Sequence, residues 1–357
     1  MEISVLPLAA GRMKAKVADE SKLGFGRIFT DRMLLIEWTT EKGWHNARIK
    51  PYEPFVLDPS AQVFHYAQEI FEGLKAYKWG DGRIALFRPD KNARRFNQSA
   101  ERLCMPELPE ELFVEGIKQL VAQEKDWIPT APGTSLYIRP TMIAVEPVLG
   151  VNPSAHFYFY VILSPVGAYY AAGFKPVSIM VEGHYVRAVP GGTGEAKTGG
   201  NYASSLKAGL DAKKKGFDQV LWLDGREQRY IEEVGAMNMF FVYGNRVVTS
   251  ALNGSILAGV TRDSVLALAK KLGCSVDEMK IDVNDLMADI KAGKVTEAFG
   301  SGTAAVITPV GRLHYKGDTV QLGDGGVGNL TQRLYDTLTG IQTGQIPDDF
   351  GWITFVA

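Results

Sequence analysis

The chain has 357 residues, 46% of them hydrophobic and 22% charged, with 39 basic and 40 acidic side chains and a net charge of −1. That balance points away from nucleic acid or any other polyanion as a partner. No apolar run approaches the ~20 residues that a membrane span needs, and the length suggests two domains rather than one.

Only two cysteines occur, Cys104 and Cys274, with no CxxC and no disulfide framework. The five histidines are scattered without ligand spacing, so no metal site is expected. The N-terminus lacks a basic segment followed by a long apolar core, so no secretory leader is expected. The cytoplasm is the simplest compartment.

Residues 1 to 20 are mixed in character and read as an arm. Met33 to Trp38 is the first convincing strand. Gly73 to Trp79 and Arg83 to Phe87 flank Gly80-Asp81-Gly82, a hairpin signal. Pro89 and Asp90 open a helix in which Ala93, Phe96, Ala100 and Leu103 form one apolar face, with Arg94 and Arg95 beside it. Residues 110 to 127 read as a second helix. Ser135 to Val145 and His156 to Leu163 are rich in aromatic and β-branched residues and read as central strands.

The stretch 164–173, small residues and punctuators after a strand, is the expected interdomain loop. It separates a small N-terminal α/β domain, 1–163, from a large C-terminal cofactor-binding domain, 174–357. In the second part Val177 to Val181, Gln219 to Leu223 and Met237 to Tyr243 read as strands. Ala203 to Lys215, Ser264 to Leu272, Val283 to Ala292 and Asn329 to Thr339 read as helices. Strands and helices mix without strict βαβ alternation, which predicts an α+β fold in two domains. No GxGxxG opens a helix after a strand, so a dinucleotide fold has little support.

Gly191-Gly192-Thr193-Gly194-Glu195-Ala196-Lys197-Thr198-Gly199-Gly200-Asn201-Tyr202 places one lysine between two glycine-rich segments. So many glycines suit neither a helix interior nor a strand interior. In a confined site a lysine can lose its proton and form a Schiff base with a carbonyl. On an exposed loop it would simply be solvated, and the stretch alone allows both. On spacing alone Glu232-Glu233 reads as a solvated pair at a strand end rather than a buried site, and Arg95 as a surface cation on an amphipathic helix rather than an anion ligand.

The stretch resembles the lysine segment of the branched-chain amino acid aminotransferases, pyridoxal phosphate enzymes of fold type IV. Leu86-Phe87-Arg88-Pro89, Ser135 to Pro140, Glu146 to Val151, Gln219 to Leu223, Glu233 to Asn238 and Phe299 to Ala304 are similar to that family in the same order. The likeness runs from about residue 20 to 345 and is nearest to the longer, eukaryotic-type branch. It implies mixed sheets with helices packed around them and the cofactor, pyridoxal 5'-phosphate, at the domain interface.

By this resemblance Lys197 carries the cofactor and moves the substrate proton. Glu233, rather than Glu232, meets the pyridine nitrogen, and Tyr202 the ring hydroxyl oxygen. Arg95, Val260, Thr261 and Thr303 hold the phosphate, the middle two at a predicted helix N-terminus that favours anions. Phe25, Tyr66, Phe71, Tyr137, Leu149 and Val151 line the substrate pocket. Tyr66, Leu149 and Val151 come from a neighbouring subunit, so a homodimer is implied. Arg139, or its neighbour Tyr137, meets the distal carboxylate of glutamate, and the amides of Thr303 and Ala304 meet the α-carboxylate.

The implied reaction exchanges amino groups between L-leucine, L-isoleucine or L-valine and 2-oxoglutarate, as in branched-chain amino acid biosynthesis. A D-amino acid aminotransferase or an aminodeoxychorismate lyase of the same fold is the alternative, and a cofactor-free binding protein is a remoter one. Three departures stand out. Ala236 replaces a threonine of some relatives, removing one polar wall of the pocket. Ala305 and Thr308 occupy the positions of a mammalian CxxC redox switch, so no such thiol regulation is expected. Glu195-Ala196 differs from some relatives without derivable consequence.

Overall fold

A computed structural model describes residues 1–9, 11–167 and 174–356. The chain forms two compact units: Met1–Ala171 with Ala196–Gly199 and Ile341–Ala357, and Ala172–Glu195 with Gly200–Gly340. Two returns to the first unit depart from a single cut. The lysine segment docks there, and so does the C-terminal tail, whose strand Ile353–Val356 pairs with Ile84–Phe87. Of the expected interdomain loop, residues 164–166 complete the strand His156–Val166, and 168–173 lie outside the described residues.

The first unit is built on a nine-stranded, mainly antiparallel sheet. Its order is Ser4–Val5, Gly43–Pro51, Arg32–Thr39, His156–Val166, Ser135–Ala144, Leu74–Lys78, Ile84–Phe87 and Ile353–Val356, with Glu69–Phe71 also paired to Ser135–Ala144. Ser135–Ala144 is buried at all but one position, and His156–Val166 alternates half-buried and buried residues before a buried end. The helices Pro89–Arg102 and Glu110–Gln123 supply Phe96, Phe113, Ile117, Leu120 and Val121 to the core that also holds Phe159 and Leu136. The second helix is shorter than its periodicity suggests, because Lys125–Trp127 tightens to a 3₁₀ turn.

The second unit carries another nine-stranded sheet of mixed direction. Its order is Ile231–Val234, Gln219–Leu223, Val177–Val181, Val306–Tyr315, Glu297–Gly302, Met237–Tyr243, Arg246–Ser250 and Ser275–Met279, with Asp318–Gln321 on Val306–Tyr315. Ile231–Val234 pairs with both Gln219–Leu223 and Met237–Tyr243, so the first six strands in that order close on themselves. Closure removes two free edges that would otherwise expose unpaired amides. The helix expected over 203–215 is Leu206–Lys214, preceded by a separate short helix, Gly199–Ala203. The break falls where the hydroxyls of Ser204 and Ser205 bond back to the carbonyls of Asn201 and Tyr202. The architecture is α+β: mixed sheets with helices packed on them.

Candidate active site

In the first unit Lys197 is fixed through its backbone. Its amide donates to Ser99 Oγ at 2.9 Å, and its carbonyl accepts from Phe71 N at 2.9 Å. Two residues on, Gly199 N donates to the Glu69 carboxylate. The segment therefore lies between the helix Pro89–Arg102 and the strand Glu69–Phe71, and the Lys197 side chain is set by that docking. Lys197 Nζ stands 4.8 Å from the centroid of the Phe71 ring.

Phe71 leads to the rest of the cluster. The Arg139 guanidinium lies 4.6 Å from the Phe71 centroid and 5.3 Å from that of Tyr137, and its Nη2 donates to Tyr137 Oη at 3.0 Å. Phe25 meets Tyr137 edge to face at 5.0 Å. Tyr137 and Arg139 share one face of the strand Ser135–Ala144 because side chains alternate along it. A Cβ on Gly73 would fall 2.2 Å from Tyr137 Oη, so only glycine admits the phenol there. The structure thus brings Phe25, Phe71, Tyr137, Arg139 and Lys197 together. Arg139 Nε is buried without a hydrogen-bond partner. A buried cationic donor in this state is suited to an incoming carboxylate.

Arg95 is buried on the same helix as Ser99 and directs two nitrogens at Glu72: Nε to Oε1 at 2.7 Å and Nη2 to Oε2 at 2.8 Å. Glu72 is wholly buried and also accepts from Asn92 Nδ2 at 2.7 Å. Burial raises its carboxyl pKa, but the positive charges of Arg95 and Lys197 and these hydrogen bonds outweigh that and hold it below its ordinary value. Tyr66, Leu149 and Val151 belong to this unit too. They are 39%, 62% and 81% exposed, and Tyr66 Oη donates to Leu149 O.

In the second unit Glu233 is 3% exposed within the strand Ile231–Val234. Arg187 Nε lies 2.6 Å from Glu233 Oε2, and Asn238 Nδ2 donates to Oε1 at 3.1 Å. The solvated-pair alternative fails, since Glu232 is also buried and bonds instead to Ser255 and Asn253. Val260 and Thr261 open the helix Val260–Lys271, whose N-cap, Gly259, makes no side-chain capping bond. First-turn amides without a capping side chain fit a phosphate. Thr303 and Ala304 lie in the turn between Glu297–Gly302 and Val306–Tyr315. Tyr202 is half-buried in Gly199–Ala203. A buried, cation-backed carboxylate and an uncapped helix start fit the two ends of a phosphorylated pyridine.

Residues 69–313 match the family model for amino-transferase class IV. The chain belongs to the class-IV aminotransferases. Within that family it is 56% identical over 339 residues to branched-chain-amino-acid aminotransferase 2 of Bacillus subtilis, covering 95% of this chain and 93% of that one. It is 53% identical to the branched-chain-amino-acid aminotransferase of Mycolicibacterium smegmatis, covering 92% and 91%. Among solved structures, the Escherichia coli branched-chain amino acid aminotransferase superposes with a TM-score of 0.74 at 29% identity, covering 90% of this chain and 99% of that one. Another branched-chain amino acid aminotransferase, solved with pyridoxamine 5'-phosphate, gives 0.74 at 30%, covering 90% and 98%.

Several residues of this aminotransferase that hold these side chains within each unit have contacts that the sequence does not reveal. Glu72, Ser99, Arg187 and Asn238 are common types in ordinary contexts, and only the fold places them against Arg95, Lys197 and Glu233. Thr308, one of the two positions compared with a redox switch, is a buried strand residue. The described cysteines are Cys104, exposed, and Cys274, buried, and neither is disulfide-bonded. No helix among the described residues is long and apolar enough to cross a membrane.

Proposed function

We propose that this aminotransferase moves the amino group between L-leucine, L-isoleucine or L-valine and 2-oxoglutarate, with pyridoxal 5'-phosphate bound through Lys197. The observation that carries this is the docking of Lys197 beside Phe71, Tyr137 and Arg139, an apolar and aromatic surface with one buried guanidinium. When bound, pyridoxal phosphate supplies an electron sink that acidifies the substrate Cα–H. Lys197 Nζ would take up and hold the proton lost from the substrate Cα, as a general base.

Glu233, contacted by Arg187 and Asn238, would face the pyridine nitrogen and favour its protonated form. Val260, Thr261 and Thr303 bind the phosphate, with Arg95 adding charge from the grip of Glu72. Tyr202 hydrogen-bonds the ring oxygen. The amides of Thr303 and Ala304 receive the α-carboxylate. Phe25, Phe71 and Tyr137 enclose the apolar side chain. Arg139 with Tyr137 receives the distal carboxylate of glutamate. Tyr66, Leu149 and Val151 complete the pocket of a second subunit, which their exposure as an apolar set supports.

The test is a panel of amino donors with 2-oxoglutarate, reading glutamate formed. The three branched L-amino acids should react with kcat/KM values within about two hundredfold of one another, since a methylene is worth only ~1–3 kcal/mol. Preference for D-alanine over all three would move the chain to a D-amino acid enzyme.

A further inference from the structure

Asn238 links the Glu233 carboxylate to the segment that leads into the helix Val260–Lys271. It lies directly opposite Glu233 in the antiparallel pair Ile231–Val234/Met237–Tyr243, so both side chains point to one face. Its amide nitrogen donates to Glu233 Oε1 at 3.1 Å and to Leu257 O at 2.9 Å. Leu257 stands three residues before Val260, the first residue of the helix Val260–Lys271.

The contact with that helix start is close. A Cβ on Gly259 would fall 2.1 Å from Asn238 Oδ1 and 3.1 Å from Arg262 Cβ. Gly259 has an extended backbone, φ −66°, ψ 129°, which any residue can adopt. Glycine is needed there because the amide of Asn238 occupies the space of a side chain. The amide thus touches the carboxylate through its nitrogen and packs on the N-cap through its oxygen.

We propose that Asn238 is a positioning residue that fixes the spacing between the Glu233 carboxylate and the N-terminus of Val260–Lys271. This rests on the assignment of those two groups to the ring nitrogen and the phosphate of one cofactor. A ligand that reaches both groups needs them at one separation. A ligand that reaches only one does not. Aspartate keeps the size of the side chain but loses both donors and sets a like charge against Glu233. Alanine removes the link without adding charge.

The experiment measures the affinity of wild type, Asn238→Asp and Asn238→Ala for pyridoxal phosphate and for pyridoxal, which lacks the phosphate, by fluorescence titration. Thermal melts of the same samples report folding. Loss of a hydrogen bond to a charged group should weaken pyridoxal phosphate about tenfold or more. Pyridoxal should weaken less than pyridoxal phosphate, so the advantage given by the phosphate shrinks in both variants. Equal weakening of both ligands, or no weakening in a variant that melts like wild type, would overturn the proposal. Should one variant fail to fold, the other decides. Wild type that binds neither ligand would instead remove the cofactor assignment itself, and this inference with it.

Discussion

Arg139 is held from two directions and left open in a third. Its guanidinium stacks over Phe71, Nη2 is engaged by Tyr137, and Nε is buried without a partner. A planar fork in that setting is already oriented for a carboxylate, so little side-chain entropy is lost when one binds. Arg139→Ala should therefore lower kcat/KM for glutamate about thirtyfold or more, the worth of a charge-assisted pair. Leucine should lose less than about fivefold, because its side chain asks only for shape. Steady-state kinetics with both donors check this, and an equal loss would count against the role. Arg95 differs in kind. Glu72 grips it through two nitrogens, which sets its direction and cancels much of its charge. A phosphate facing it would meet an oriented donor more than a free cation.

At the scale of elements, the strand Leu74–Lys78 puts an amine where the sheet is dry. Lys75 is opposite Tyr137 in register and 9% exposed, and burial pushes its ammonium from the ordinary 10.5 to about 8. The sign follows from proton counts. Between about pH 8 and 10.5 the unfolded chain holds this proton and the folded chain does not. Raising the pH through that window therefore favours folding. Wild type should gain stability, relative to Lys75→Met, by an amount on the order of 3 kcal/mol across it. Denaturant midpoints of the two proteins from pH 7 to 10.5 give the comparison, and a constant difference would contradict it.

Elements also show what the sequence makes legible. Gln219–Leu223 and Met237–Tyr243 are apolar runs between punctuators, and their bounds are those expected. Ser275–Met279 and Asp318–Gln321 are largely exposed and polar, with no alternation to find, and exist because a neighbouring strand offers its edge. The Lys197 loop announces itself through glycine. Asn238 could not, because nothing local says that residue 238 faces residue 233 and the turn at 257–259.

For the whole molecule, Leu149 and Val151 beside Tyr66 are among the exposed large apolar side chains of the chain. Apolar side chains 62% and 81% exposed in one loop are costly unless a partner covers them. Val151→Asp should shift sedimentation from dimer toward monomer and make specific activity fall on dilution. Undiminished activity from a monomer would contradict a shared site.

The proposed role of Lys197 is to carry pyridoxal phosphate for L-amino acid exchange. Its most direct test is the absorbance spectrum of the protein with pyridoxal phosphate, before and after L-leucine, with D-alanine in parallel and Lys197→Ala as control. A visible band of lysine-bound cofactor is expected in wild type, absent from the variant, lost with L-leucine and restored by 2-oxoglutarate. A band that answers only D-alanine would contradict the substrate assignment, and no band in wild type would contradict the cofactor site itself.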